Sequence, residues 1–173
     1  KIKLVSTHHE QAAAFAADAM GRMAGIPGVA MATSGPGATN LLTGIGSCYF
    51  DSSLAAFITG QVNRHEQKGE RQVRQLGFQE TDIVAMAQPI TKAAWRVKAV
   101  EELPTLLENA FALAVAGRPG PVLIDVPMDV QRAEIEPPPV IQLSPEKESP
   151  IDPAFWQQFF AAIAKAKRPM ILV

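Results

Sequence analysis

One cysteine, Cys48, is all the thiol chemistry that 173 residues carry. A lone thiol makes no internal disulfide, so a disulfide-stapled secreted scaffold is excluded and a reducing, cytoplasmic setting is expected. Set in apolar sequence, Cys48 reads as a small buried hydrophobe. Aromatic residues are scarce at 6%, while hydrophobic residues reach 47%. The core must then be aliphatic and alanine-rich, which suits helices packed closely on a sheet. Net charge is almost absent, at -1, which leaves no polybasic field for nucleic acid or an anionic membrane. No apolar run approaches the ~20 residues of a membrane span. No Gly-Lys-Ser/Thr follows a glycine turn, and no His-Glu-x-x-His occurs. Those absences remove a Walker-type phosphate loop and a zincin helix. His8-His9-Glu10 is no substitute, because adjacent residues on a nascent helix point in different directions, and no metal is expected there. The chain opens on Lys1 rather than Met and is read as a piece of a longer protein.

What is present alternates. Residues 2–6 read as a buried strand. A helical run from Gln11 to Met20 follows, with cap candidates before it, and stops near Gly25-Ile26-Pro27-Gly28. Val29–Thr33 reads as a strand and Ala38–Cys48 as a helix. Leu54–Thr59 is a strand ending at Gly60, Glu80–Ala87 a helix, and Ala94–Val97 a weak strand. Leu103, Leu106, Leu107, Ala110, Phe111 and Ala114 recur at helical spacing, which predicts a helix over 101–116. Pro121–Pro127 is the last strong strand. Strands that are apolar throughout, rather than every second residue, fit a mostly parallel sheet covered by helices on both faces. The fold class expected is therefore α/β. Composition changes after Arg132. Residues 1–133 read as one domain and the Pro- and charge-rich 134–152 as a linker. Residues 153–173 read as the start of a second domain, with a helix over 154–166, a Phe155–Phe160 core face and a strand opening at Pro169. Trp95 and Trp156 read as packing residues.

Two features carry chemistry. Thr33-Ser34-Gly35-Pro36-Gly37-Ala38-Thr39-Asn40 is a bare turn between strand and helix. It is a near miss to the dinucleotide fingerprint, for the next strand ends Thr59-Gly60-Gln61 without the acid that holds a ribose. A tight turn at the C-terminal edge of a parallel sheet accounts for it locally, and ligands bind at that edge. Glu10 is the other feature. It sits where the first helix begins, which would place a carboxylate at the same edge; as a lone feature it reads as a helix-dipole partner.

With these motifs stands a wider resemblance. His9-Glu10-Gln11-Ala12-Ala13, Thr33–Asn40, Ile58-Thr59-Gly60-Gln61-Val62, Phe78-Gln79-Glu80 and Gly120–Pro127 occur in order over nearly the whole chain. Together they resemble the N-terminal, pyrimidine-binding domain of the thiamine-diphosphate enzymes, most like acetolactate synthase. The resemblance implies that Glu10 is the catalytic carboxylate. It would hydrogen-bond the aminopyrimidine ring and set up loss of the thiazolium C2 proton, a transfer that a low-dielectric pocket favours. It implies that Thr33, Gly35, Pro36, Gly37, Asn40 and Gln79 bind the cofactor. The glycines would give a flat ring or a neighbouring subunit room, and Phe78 and Gln79 would approach the substrate. It further implies thiamine diphosphate and Mg2+ as cofactors, the metal held by a Gly-Asp-Gly motif of another domain, which these residues lack. A first strand–helix unit ahead of Lys1 is also missing relative to the family. The substrate would be a 2-keto acid such as pyruvate, and the active site would form between subunits of a homodimer or homotetramer. Whether FAD sits in a following domain is left open, as is the choice among acetolactate synthase, sulfoacetaldehyde acetyltransferase, pyruvate oxidase and dione hydrolase. A non-catalytic binding module and an NAD-binding Rossmann domain are alternatives from other classes.

One stretch departs from that pattern. Asn63–Gly77 is long and charged. Glu66/Glu70 and Glu70/Arg74 have helical spacing and predict a solvated helical face, with a subunit contact or cations near a carboxylate substrate as the functional alternative. Asp51, Asp125 and Asp129 are expected in structural or interface roles.

Overall fold

The computed structural model divides the chain into two compact units, Lys1–Ile141 and Gln142–Val173. It describes residues 2–135 of the first and 152–170 of the second.

In the first unit helix α1 spans Glu10–Ala24. His9 caps it, its Nδ1 accepting the Gln11 N–H at 3.1 Å, and Gly25 closes it in the left-handed region. The cap is an imidazole rather than the Ser6 or Thr7 hydroxyl. Strand β1 spans Gly28–Ala32, helix α2 Pro36–Asp51 and strand β2 Ala55–Gln61. A 3-10 turn at Arg64–Glu66 precedes helix α3, Ile83–Ala87, and a second turn, Gln88–Ile90, leads to strand β3, Ala93–Arg96. Helix α4, Leu103–Val115, strand β4, Pro121–Pro127, and the short helix α5, Met128–Gln131, complete the unit.

The four strands pair in the order β1-β2-β4-β3, every pair parallel. Side chains alternate across the pleat, so β2, β3 and β4 each feed two cores, while edge strand β1 feeds one and exposes Val29 and Met31. Ala30, Phe57 and Leu123 meet α1, α2 and α3 through Ala14, Ala17, Leu41, Ile45 and Ala87. Ala56, Val122 and Ile124 face the other way, toward Ala110 and Ala114 of α4. The faces follow from topology. The steps β1→β2 and β2→β3 run one way along the sheet and leave α2 and α3 on one face. The step back from β3 to β4 reverses direction and, for a crossover of the same hand, puts α4 on the opposite face. Alanine-rich helices then allow close approach: a Cβ added at Gly44 would lie 2.4 Å from that of Ala14.

Several expectations need correction. Residues 2–6 form no strand and are exposed. An apolar run of this length needs a paired neighbour to be a strand, and none is packed on it. Residues 67–77 are not helical; beyond the 3-10 turn this stretch is bends and turns, with the Lys68 and Leu76 N–H groups donating to Glu80 and those of Gln67, Arg71 and Val73 to backbone carbonyls. The 101–116 helix begins with a 3-10 turn, Val100–Glu102, before α4. Asp51 ends α2 instead of lying in a loop, and its Oδ2 accepts Arg22 Nη2 at 2.7 Å.

In the second unit helix α6, Pro153–Lys165, starts at the Asp152 cap. Phe155 meets Trp156 edge to face and Trp156 stacks on Phe160, all three being exposed among the described residues. The expected linker residues 136–150 and the strand residues 171–173 lie outside the described residues.

Candidate functional site

The C-terminal ends of β1, β2 and β4 open onto one groove of about 900 Å³. Its floor is strand: Ala32 and Thr33 from β1 and the turn after it, and Thr59 and Gln61 from β2. Phe78 and Gln79 reach it from the loop after β2, and Leu107 closes it from α4. This is where a parallel sheet that reverses strand order binds ligands.

Of the residues expected at the site, Thr33, Phe78 and Gln79 line the groove. Glu10, Gly37 and Asn40 assemble behind the 33–37 turn, which thus forms a wall common to both. Asn40, one turn into α2, donates its Nδ2 hydrogen to Glu10 Oε2 at 3.0 Å. Glu10 opens α1, so an acid and an amide meet across thirty residues of chain. A Cβ built on Gly37 would lie 2.8 Å from the Thr33 methyl and 3.4 Å from Glu10 Oε1. A side chain there would fill the space in front of that oxygen. Pro36 occupies the first turn of α2, exposed, where its missing N–H is not needed.

Gly35 does something other than clear space for a ring. Its φ is +63°, and a Cβ on it would fall 2.7 Å from Cβ of Gln79, whose own φ is +57°. The bare backbone at 35 makes room for this chain's own loop. Two left-handed residues thus pack against each other, and only one of them is glycine.

Electrostatics also depart from expectation. The Glu10 carboxyl is held below its ordinary range, first by the Asn40 amide and then by a backbone N–H, with burial pushing weakly the other way. The expected low-dielectric pocket is not supplied by this unit, in which Glu10 is only half-buried.

Sequence reasoning missed the polar hub beneath the groove. Asp125, fully buried in β4, accepts Thr59 Oγ1 at 2.8 Å on one oxygen, and Gln61 Nε2 and Arg96 Nε at 3.0 Å each on the other. Burial nonetheless pushes its pKa up, against those donors. The expectation of a structural role for Asp125 agrees with this arrangement. Gln61 extends the hub, donating also to the Thr81 carbonyl and accepting the Val62 N–H. The signal was the Thr59-Gly60-Gln61 motif itself, whose two polar side chains alternate onto the same face of a strand. Asp129 pairs with Arg64 at 2.6 Å and anchors the loop after β2 to α5. Cys48 is buried, its pKa pushed up to about 12 by desolvation. Among the described residues no group of three metal-ligating side chains assembles, and no helix is long and apolar enough to cross a membrane.

Comparison with known proteins bears on the same residues. The family described as thiamine pyrophosphate enzyme, N-terminal TPP binding domain, matches residues 1–86. Acetolactate synthase of Arthrospira platensis is 42% identical over 178 residues, covering 100% of this chain and 30% of its own length. The chloroplastic acetolactate synthase of Arabidopsis thaliana is 39% identical over 180 residues, 99% of this chain and 26% of its own. The probable acetolactate synthase large subunit of Methanocaldococcus jannaschii is 48% identical over 132 residues, 76% of this chain and 21% of its own. The chain therefore spans less than a third of the length of these relatives.

Proposed function

This chain belongs to the thiamine pyrophosphate enzymes as their N-terminal TPP-binding domain, and from that premise we propose that the Glu10–Asn40 cluster receives the aminopyrimidine end of thiamine diphosphate. The observation that carries the reading is a carboxylate with one oxygen tied to Asn40 and the other facing the space that Gly37 leaves open. The donor set fits a flat nitrogen heterocycle: an acid to exchange a proton with a ring nitrogen, and a glycine where a Cβ would intrude.

When bound, thiamine diphosphate supplies the nucleophilic carbon and the electron sink for decarboxylating a 2-keto acid such as pyruvate. Glu10 Oε1 holds the proton shared with the ring and returns it. Asn40 Nδ2 keeps the carboxylate turned toward the cradle and lowers its basicity. Thr33, Pro36 and Gln79 border the ring, and Phe78 and Gln79 meet the substrate from the groove side. Glu10 needs a raised pKa to share a proton efficiently, and this unit alone holds it low. A second subunit closing over the half-buried carboxylate would supply the missing desolvation, which supports a homodimer, or a homotetramer built from such dimers. Mg2+ and the diphosphate would be held by a domain outside residues 1–173. The full protein would then transfer a two-carbon unit from pyruvate to a second 2-keto acid, as an acetolactate-synthase-like enzyme.

The test is the full-length protein assayed with pyruvate, with and without thiamine diphosphate and Mg2+. Product formed only when both are present is expected. Turnover without thiamine diphosphate, or none with it, overturns the reading.

A further inference from the structure

The loop between Asn63 and Asp82 is held in shape by its own acids. Glu80 accepts the Lys68 N–H at 2.8 Å on one oxygen and the Leu76 N–H at 2.9 Å on the other. Glu66 accepts from Asn63 at both backbone and side chain. Asp82 Oδ1 accepts Arg96 Nη2 at 3.0 Å. Glu66, Glu80 and Asp82 are thus committed to the loop's own groups and to Arg96. Two cations are not. Among the described residues the Lys68 ammonium and the Arg74 guanidinium meet no carboxylate within 4 Å. Both line a cavity of about 160 Å³ together with Gln67, Arg96 and the two committed acids. Gln67 Nε2, at the same cavity, is buried and has no acceptor among the described residues. A buried donor without an acceptor is costly and calls for a partner.

We propose that this cavity binds a small oxyanion, taken up by the Gln67 amide and the Arg74 guanidinium with Lys68 supplying charge. Lys68, Arg74 and Arg96 outnumber Glu80 and Asp82, so the lining carries surplus positive charge. At roughly 30 Å³ per water the space holds about five waters. That is too small for a nucleotide and suited to a carboxylate of a few heavy atoms or to a tetrahedral anion. Guanidinium and carboxylate or sulfate groups match as paired donors and acceptors. The cavity shares no lining residue with the groove, yet it is not isolated from it. Arg96 also donates to Asp125, which holds Thr59 and Gln61 of the groove wall. An occupant therefore draws on the same guanidinium that braces the groove. This inference does not depend on what the groove binds.

The test is calorimetric titration of the full-length protein with sodium acetate and, separately, sodium sulfate, ionic strength being held with sodium chloride. Saturable millimolar binding is expected, weakened tenfold or more by Arg74→Gln and again by Lys68→Gln, with Gln67→Leu weakening it further. Arg74 is exposed and Lys68 half-buried, so these two variants keep the parent's circular dichroism spectrum, and Gln67→Leu is compared with them at an equal unfolding midpoint. Preference for acetate identifies a carboxylate as the ligand, and preference for sulfate a phosphate-like oxyanion. Absence of saturable binding for both anions overturns the proposal. So does binding that Arg74→Gln and Lys68→Gln leave unchanged, because the anion then sits elsewhere.

Discussion

Two acids of this domain, Asp125 within β4 and Glu10 at the head of α1, could hardly be treated more differently. Asp125 is sealed into β4, and three side chains donate to it. Glu10 is half-exposed at the head of α1, with one side-chain donor and one oxygen facing open space. Burial raises the pKa of the first, and hydrogen bonding lowers that of the second. Together they show that buried acids in such a sheet can serve as braces, while the proposed chemistry falls to the acid left partly unsatisfied. An acid sealed from solvent, with three of its roughly four acceptor sites taken, has little left to offer a ligand.

The contrast is broken most sharply by exchanging roles. Glu10→Gln in the full-length enzyme should lower thiamine-diphosphate-dependent turnover by about 100-fold or more, with an unfolding midpoint equal to that of the parent. Near-normal turnover would end the case for Glu10. Asp125→Ala should act on the fold instead. It leaves the buried Thr59 and Gln61 short of an acceptor and the half-buried Arg96 with Asp82 alone, and should cost about 2–4 kcal/mol in urea unfolding; a loss under about 1 kcal/mol would show the hub to be ornamental. Gly35→Ala meets both an unfavourable φ and Gln79, and should cost about 1–3 kcal/mol, read as a lower melting temperature. The smallest effect belongs to Asn40→Ala. Removing that donor should raise the Glu10 pKa toward the ordinary carboxylate value, followed by NMR titration of the carboxyl carbon. The sign follows from the depressed folded-state value: what Glu10 contributes to stability is present above its unfolded pKa and lost as pH falls through the folded one. Asn40→Ala should narrow that acid window, and an unchanged titration would mean that the amide does not tune the acid.

The layered α/β plan was legible because strands apolar on both faces and helices with an alanine stripe leave few other arrangements. The turn at Thr33 and the Glu10 junction were legible for a similar reason, since glycine, proline and an acid in a helix's first turn mark element boundaries. What escaped were features made by contact across the fold. The 63–77 stretch has helical charge spacing, yet the Lys68 and Leu76 N–H groups are taken by Glu80, which no local pattern announces. Strand propensity in residues 2–6 found no neighbour to pair with. The Asp125 hub draws on β2, β3 and β4 at once. Its members are far apart in sequence, and the registers Thr59↔Asp125 and Arg96↔Asp125 of the two parallel pairs bring them level.

The back-to-back packing of Gly35 and Gln79 ties two loops into one mechanical piece. Phe78, the exposed aromatic at the mouth of the groove, takes its position from a glycine in a different βα connection. Any change that widens the first turn must therefore reposition that ring, even though the two never touch.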